Sequence, residues 1–184
     1  AETPGGNYKL FVHEVNNALV QAEATINVTA LPPVAEVNGK QYALLSSAFA
    51  AAGEGDTVTM LANHVTEWDA VDAGDESTLA SVTKKLTLDL NGNAVDYVQV
   101  GNVVPDEEGG ILESADGNLT VVTTSDGTMG TIKELDFVKG TLDIQDGAIG
   151  YYESGLSGGP AGGLTCNGDS GSVTISGGIV LGLT

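Results

Sequence analysis

An amphipathic strand followed by a tight turn occurs four times between residues 85 and 178, and this repeat constrains the architecture more than any other feature. The first copy is KLTLDLNGNAV. Leu86, Leu88 and Leu90 are apolar, Thr87, Asp89 and Asn91 are polar, and Asn91-Gly92 ends the alternation. A period of two marks a strand with one buried face, and Asn-Gly is a strong turn signal. The phrase returns as Leu119 and Val121 before Asp126-Gly127, as Leu142 and Ile144 before Asp146-Gly147, and as Val173 and Ile175 before Gly177-Gly178. The copies begin at Leu86, Leu119, Leu142 and Val173, so they lie 33, 23 and 31 residues apart. Repeats in this range stack as units against their neighbours. The unequal spacing requires loops of variable length leaving the stack. Shorter strands are expected between the copies, at residues 98–100, 111–113, 132–137 and 179–183. The glycine-rich run GLSGGPAGG, residues 155–163, is expected as a loop.

The chain ahead of the repeats falls into two parts, 1–33 and 34–184. Tyr8, Leu10 and Val12 mark one strand. Val20, Ala22, Ala24, Ile26 and Val28 alternate with polar residues along a second, and Leu31-Pro32-Pro33 closes the segment. A two-stranded hairpin is marginal in water. Its apolar stripe must pack on the domain after it or pair with a neighbouring subunit by strand addition, unless the hairpin is the remnant of a larger domain. Asn38-Gly39 predicts a second hairpin. Residues 44–52 are the one convincing helix, with Leu44, Leu45, Ala48, Phe49 and Ala52 on one face and Gly53 as its stop. A strand is expected over 57–62, then an acidic surface excursion over 63–83 that carries Trp68.

Composition narrows the function. A net charge of -19, six basic residues and 25 acidic ones leave a surface that repels nucleic acid and anionic lipid. The basic residues are all Lys, so the usual bidentate partner for carboxylate or phosphate is missing. No run of about 18 apolar residues predicts a membrane span. The single cysteine, Cys166, is expected to pack as a small apolar side chain. The chain opens AETPGG, without an initiating Met, as a processed or excised chain would. Its acidic, Thr- and Gly-rich, nearly Cys-free composition is that of exported prokaryotic proteins.

VAEVNGKQYALLSSAFAAAGEGDTVTMLAN and TKKLTLDLNGNAV resemble the opening of a right-handed parallel β-helix of the pectate-lyase-like superfold, as found in large bacterial surface proteins. GNLTVVTTSDG, GTLDIQDG and GSVTISGG resemble its rungs. GNYKLFVHEVNNALVQAEATINVTA is similar to the last two strands of an immunoglobulin-like domain of such proteins. The resemblance implies an all-β fold: a short right-handed parallel β-helix, or solenoid, with one N-terminal capping helix and an N-terminal hairpin extension. It says little about activity, because this superfold hosts lyases, hydrolases, adhesins and inert stalks.

The chemistry offered by the residues is thin. Pectate lyases of similar fold use an Arg base, and related hydrolases a Gly-His-Gly phrase; neither is present. His13 and His64 are far apart in sequence and are expected to be solvated or packed. Asp89, Asp143 and Asp146 are expected as outward polar positions and turn formers, although Asp89 and Asp143 would form a ladder if they faced the same way. No cofactor is expected. Calcium is the one ion to weigh, at Asp72, Asp75 and Glu76 or at Asp106, Glu107 and Glu108, but neither group has EF-hand spacing. Trp68, Tyr97, Tyr151 and Tyr152 are the aromatic candidates for glycan contact. Asn27 and Asn118 match the glycosylation acceptor pattern. The sequence predicts a non-catalytic extracellular structural or adhesive protein. Val20, Ala22, Ala24, Ile26 and Val28 are its assembly stripe, and the final run VTISGGIVLGLT is an uncapped end of the stack. A glycan-binding module or a fragment of a polysaccharide-degrading enzyme is the alternative.

Overall fold

A computed structural model of the chain describes residues 6–14, 17–66, 79–105, 111–152, 160–168 and 170–184. Among these residues the fold is all-β with one short helix, and the chain divides into two compact units, Ala1–Pro32 and Pro33–Thr184. The first unit is the antiparallel pair β1 (Gly6–Glu14) and β2 (Asn17–Val28). Tyr8 stands opposite Ile26, Leu10 opposite Ala24 and Val12 opposite Ala22. Opposed residues share a face, so these six side chains make one apolar surface.

The second unit opens with β3 (Ala35–Val37) and β4 (Lys40–Tyr42), joined through Asn38 and Gly39, both at positive φ as a tight hairpin turn requires. Helix α1 (Leu45–Ala51) buries Leu45, Ala48 and Phe49. Gly53 does not stop it in the way expected. Ala52 ends the helix in extended conformation, and Gly53 instead donates its N–H to Asp56 Oδ2 at 2.7 Å. The last carbonyls of α1 are met by a distant cation, since Lys84 Nζ lies 2.8 Å from Ala52 O and 3.2 Å from Ala50 O. A positive charge is favoured at that helix end.

The remaining strands are β5 (Thr57–Met60), β6 (Ser81–Val82), β7 (Lys85–Asp89), β8 (Ala94–Val100), β9 (Asn102–Pro105), β10 (Ile111–Ala115), β11 (Gly117–Val122), β12 (Thr131–Phe137), β13 (Gly140–Ile144), β14 (Ala148–Ile149), β15 (Tyr151–Tyr152), β16 (Pro160–Ala161), β17 (Gly163–Cys166), β18 (Gly171–Ile175) and β19 (Ile179–Val180). Among the described residues most of them form two mainly parallel sheets, while β9–β10 and β15–β16 are separate antiparallel pairs. One runs β18-β13-β11-β7-β5 in parallel and then continues antiparallel into β3 and β4. The other runs β19-β14-β12-β8-β6, with β17 also beside β12.

The register follows the repeat. Leu86, Leu119, Leu142 and Val173 stand level on successive strands, as do Leu88, Val121, Ile144 and Ile175. A second column runs His64, Val95, Ile132, Ile149 and Val180. A third runs Val82, Val100, Phe137 and Cys166. In β8 the residues that join the shared core are Val95, Val98 and Val100, and in β12 they are Ile132, Leu135 and Phe137. The three-residue step from 95 to 98 and from 132 to 135 breaks the alternation, so each strand turns a corner between the second and third columns. The shortest spacing, 23 residues, belongs to the level β11–β12, which has no insert between its strands. The hairpin β9–β10 lengthens the 33-residue level, and β15–β16 the 31-residue one. Residues 111–113, expected as a strand of the stack, lie instead in that antiparallel hairpin. Pro160 and Ala161, expected as loop, pair with Tyr152 and Tyr151.

A column of glycines fixes the spacing at one corner. Gly117, Gly140 and Gly171 are level, and a Cβ on Gly140 would sit 2.0 Å from the Gly117 carbonyl oxygen. Lys84 holds the corresponding place before β7, and from there it reaches α1. The helix packs against β3, β4 and β6, and its apolar face joins the same core as the columns.

The columns make a direct prediction. Leu119→Ala, at the centre of the first column, is expected to cost about 2–5 kcal/mol. Thr120→Ala, on the outward face of the same strand, should stay within about 0.5 kcal/mol. Equilibrium urea unfolding of the two variants checks this.

Candidate functional site

The sheets position three kinds of feature that function could use: polar clusters at the corners, exposed aromatics and unpaired apolar edges. Asp89 is the most enclosed carboxylate among the described residues. Expected to face outward, it is only 5% exposed. Its Oδ1 accepts the N–H groups of Asn91 at 2.9 Å and Thr124 at 3.0 Å, and its Oδ2 accepts the Thr124 hydroxyl at 2.5 Å. Asn91 Nδ2 donates to Met60 O at 3.1 Å, and Asn93 Nδ2 to Asn91 O at the same distance. Asp89 thus ties its turn to the next level, and Asn91 ties the same turn to the level before. A buried carboxylate with three donors is a structural clasp, and those donors leave it poorly placed to bind substrate.

Asp89 and Asp143 do not form a ladder. Asp89 is level with Val122, whereas Asp143 is level with Thr120, two residues earlier. Asp143 accepts hydrogen bonds from Gln145 Nε2 at 2.7 Å and Ser176 Oγ at 3.2 Å, and Asp146 accepts the N–H of Gly147. Among the described residues no group of three or more His, Cys, Asp or Glu side chains could hold a metal ion. The suggested calcium residues Asp72, Asp75, Glu76, Asp106, Glu107 and Glu108 lie outside the described residues, as does Trp68.

On the second sheet, Tyr97 is buried with its hydroxyl 3.0 Å from Asp136 Oδ2 and 3.2 Å from Gln99 Oε1. Burial, and then the Asp136 carboxylate beside it, push the phenol well above its ordinary value of 10.0. Nearby, Lys133 Nζ pairs with Asp96 Oδ1 at 2.6 Å, and that hydrogen bond raises the lysine pKa. Tyr151 is 39% exposed. Tyr152 pairs through its backbone with Pro160.

Other singled-out residues moved from their expected settings. His64 is buried and belongs to the second column, paired with Val95, and Thr66 is buried too, so residues 64 and 66, expected in a surface excursion, lie in the core instead. His13 pairs with Gln21 in the hairpin. Cys166 is exposed rather than packed, and Leu164 carries the burial of β17. Asn118 accepts a hydrogen bond from Thr141 Oγ1 at 2.7 Å, while Asn27 is exposed on β2.

Two apolar surfaces remain. In the hairpin, Tyr8, Leu10, Val12 and Ile26 are exposed, with Ala22 and Ala24 between them and Val28 half-buried. Val20 falls where the register slips between His13 and Glu14. In the second unit, β18 and β19 are the outermost strands of their sheets. There Ile175 is 50% exposed, Ile179 46% and Leu183 67%, whereas Ile144 and Ile149, one level in, are fully buried. The N-terminal end of the stack differs, for α1 and the β3–β4 hairpin close it.

The chain matches no protein-family model, no curated protein and no solved structure. Among the described residues no helix is long and apolar enough to cross a membrane.

Tyr97 generates a pH prediction. Its raised pKa means that the folded state binds its proton more tightly than the unfolded chain. The stability this gives is complete below about pH 10 and is lost as pH rises further. The drop in urea midpoint between about pH 8 and about pH 11 should be smaller in Tyr97→Phe than in the parent chain.

Proposed function

We infer that residues 33–184 form a short right-handed parallel β-helix with three strands to the coil, and that the protein is a non-catalytic structural or adhesive component of a prokaryotic cell surface that assembles with copies of itself. Three columns visited in the same order at each level support the coil. Parallel connections of this kind are right-handed in about 98% of cases. Exposed apolar residues carry the assembly: Ile175 on β18 and Ile179 on β19 stand half in water, on strands that are outermost in their sheets among the described residues. An exposed flat edge with apolar side chains is a template for pairing.

The non-catalytic reading rests on how the carboxylates are used. Asp89 is consumed by three donors, Asp143 by Gln145 and Ser176, and Asp96 by Lys133. The acidic composition suits an exported, soluble surface protein. Size-exclusion chromatography with light scattering, and electron microscopy, test assembly. The intact chain is expected to form concentration-dependent oligomers or filaments, and removal of residues 1–31 to leave monomers. A monomer at every concentration, unchanged by the deletion, sinks the proposal.

Glycan binding is the second reading, favoured by the exposed Tyr151 near the Lys133–Asp96 pair, which together supply an apolar platform with polar groups beside it. Tyr151→Ala should reduce retention on a glycan array about tenfold without lowering the melting temperature, because a stacking platform contributes roughly 1 kcal/mol or more. Absence of any retention by the parent chain counts against this reading.

A further inference from the structure

The sequence of β1 repeats the phrase of the rungs. Gly6-Asn7-Tyr8-Lys9-Leu10 has the order glycine, polar, apolar, polar, apolar, as do Gly117-Asn118-Leu119-Thr120-Val121, Gly140-Thr141-Leu142-Asp143-Ile144 and Gly171-Ser172-Val173-Thr174-Ile175. The backbone agrees as well. Gly6 has φ 157°, near the 145° of Gly171, and in its own hairpin the space beside it is open, the nearest atom to a Cβ there being Tyr8 Cε2 at 3.9 Å. In the stack the demand is severe, since a Cβ on Gly171 would lie 2.5 Å from the Gly140 carbonyl oxygen. We propose that β1 of one copy adds in parallel to the outer edge of β18 of another, as its next rung, with Gly6 level with Gly171, Tyr8 with Val173 and Leu10 with Ile175.

This deepens the self-assembly proposed above and rests on it. In that position Tyr8 and Leu10 extend the first column over Val173 and the half-exposed Ile175, and β2 lies antiparallel beyond as the outermost strand. The other edge of the same sheet is already finished in this way, by the antiparallel strands β3 and β4. Charge favours a second copy at this edge. Residues 170–184 carry no charged side chain, and residues 6–28 carry only Lys9, Glu14 and Glu23, in a chain of net charge -19. These are surfaces on which two such acidic molecules can meet without strong repulsion. The same chain cannot supply the hairpin. Seated there, β2 would stand seven strand spacings from β3, about 34 Å, and the seven residue steps from Val28 to Ala35 reach at most about 25 Å.

The test uses the full chain with Cys166→Ser. Lys9→Cys with Thr174→Cys places two outward thiols level on adjacent strands, about 4.8 Å apart between Cα atoms and within disulfide range. Lys9→Cys with Ser172→Cys offsets them by two residues, to about 8 Å, out of range. On oxidation the first pair is expected to give a ladder of covalent multimers, at least tenfold more than the second. Gly6→Val is expected to abolish assembly while leaving the melting of the second unit, residues 33–184, unchanged. Oligomers that cross-link equally through both pairs, that cross-link within one chain, or that survive Gly6→Val overturn the strand addition and leave self-assembly standing. A parent chain that stays monomeric removes both.

Discussion

Level stacking of aliphatic side chains on parallel strands is the interaction on which the second unit depends. Each rung contributes two inward residues, and each of those sits on the equivalent residue of the rung before. Burying one such side chain stabilises by about 1.5–3 kcal/mol, but only if the register is kept, because a one-residue slip turns the apolar face outward. The glycine column removes the freedom to slip. Gly140 approaches the Gly117 carbonyl so closely that no side chain fits between them, and from β11 onward the register that sets glycine at this place keeps the rungs at strand distance. Hydrophobic pattern and backbone sterics therefore select the same alignment.

The polar groups reinforce that selection from the corners. Asp89 reaches forward to Thr124, 35 residues on, and Asn91 reaches back to Met60, 31 residues earlier. Both bonds need the levels to be in place, and neither would form in an isolated hairpin. A buried carboxylate without its donors would cost more than it contributes in the folded chain. The cluster consequently penalises alternative stackings rather than driving the collapse, and it removes from the surface a group that a sequence could offer for catalysis.

The first column was legible because its strands are five or six residues long and alternate cleanly. The second was legible in part: strands expected at 132–137 and 179–183 are present as β12 and the two-residue β19, whereas Ala148–Ile149 is too short to carry a period of its own. The step of three between Val95 and Val98 also breaks the alternation that would have joined β8 into one recognisable strand. Asp89 was misread for a related reason. Its sequence neighbours make it an ordinary outward residue, and the group that draws it inward lies on the next level. Cys166 was misjudged in the opposite direction, because its place level with Phe137 is near the open end, where only the last residues of the chain pass over it. The leading glycine of each rung was visible in GNLTV, GTLDI and GSVTI, yet its purpose appears only when the carbonyl beneath it is known.

A stack held by nearest neighbours treats its interior and its ends differently. An interior rung is covered on both sides; an end rung has only one neighbour and leaves its apolar residues half in water. At the N-terminal end the glycine column is broken by Lys84, whose side chain turns aside to the carbonyls of α1, so the column terminates in a residue committed to the cap. Gly171 continues the same column: a Cβ there would lie 2.5 Å from the Gly140 carbonyl oxygen, and the apolar pair Val173 and Ile175 follows it as Leu119 and Val121 follow Gly117. One rule of glycine and level apolar pairs therefore aligns the strands from Gly117 to Gly171, and the cap at Lys84 is where a charged side chain replaces it.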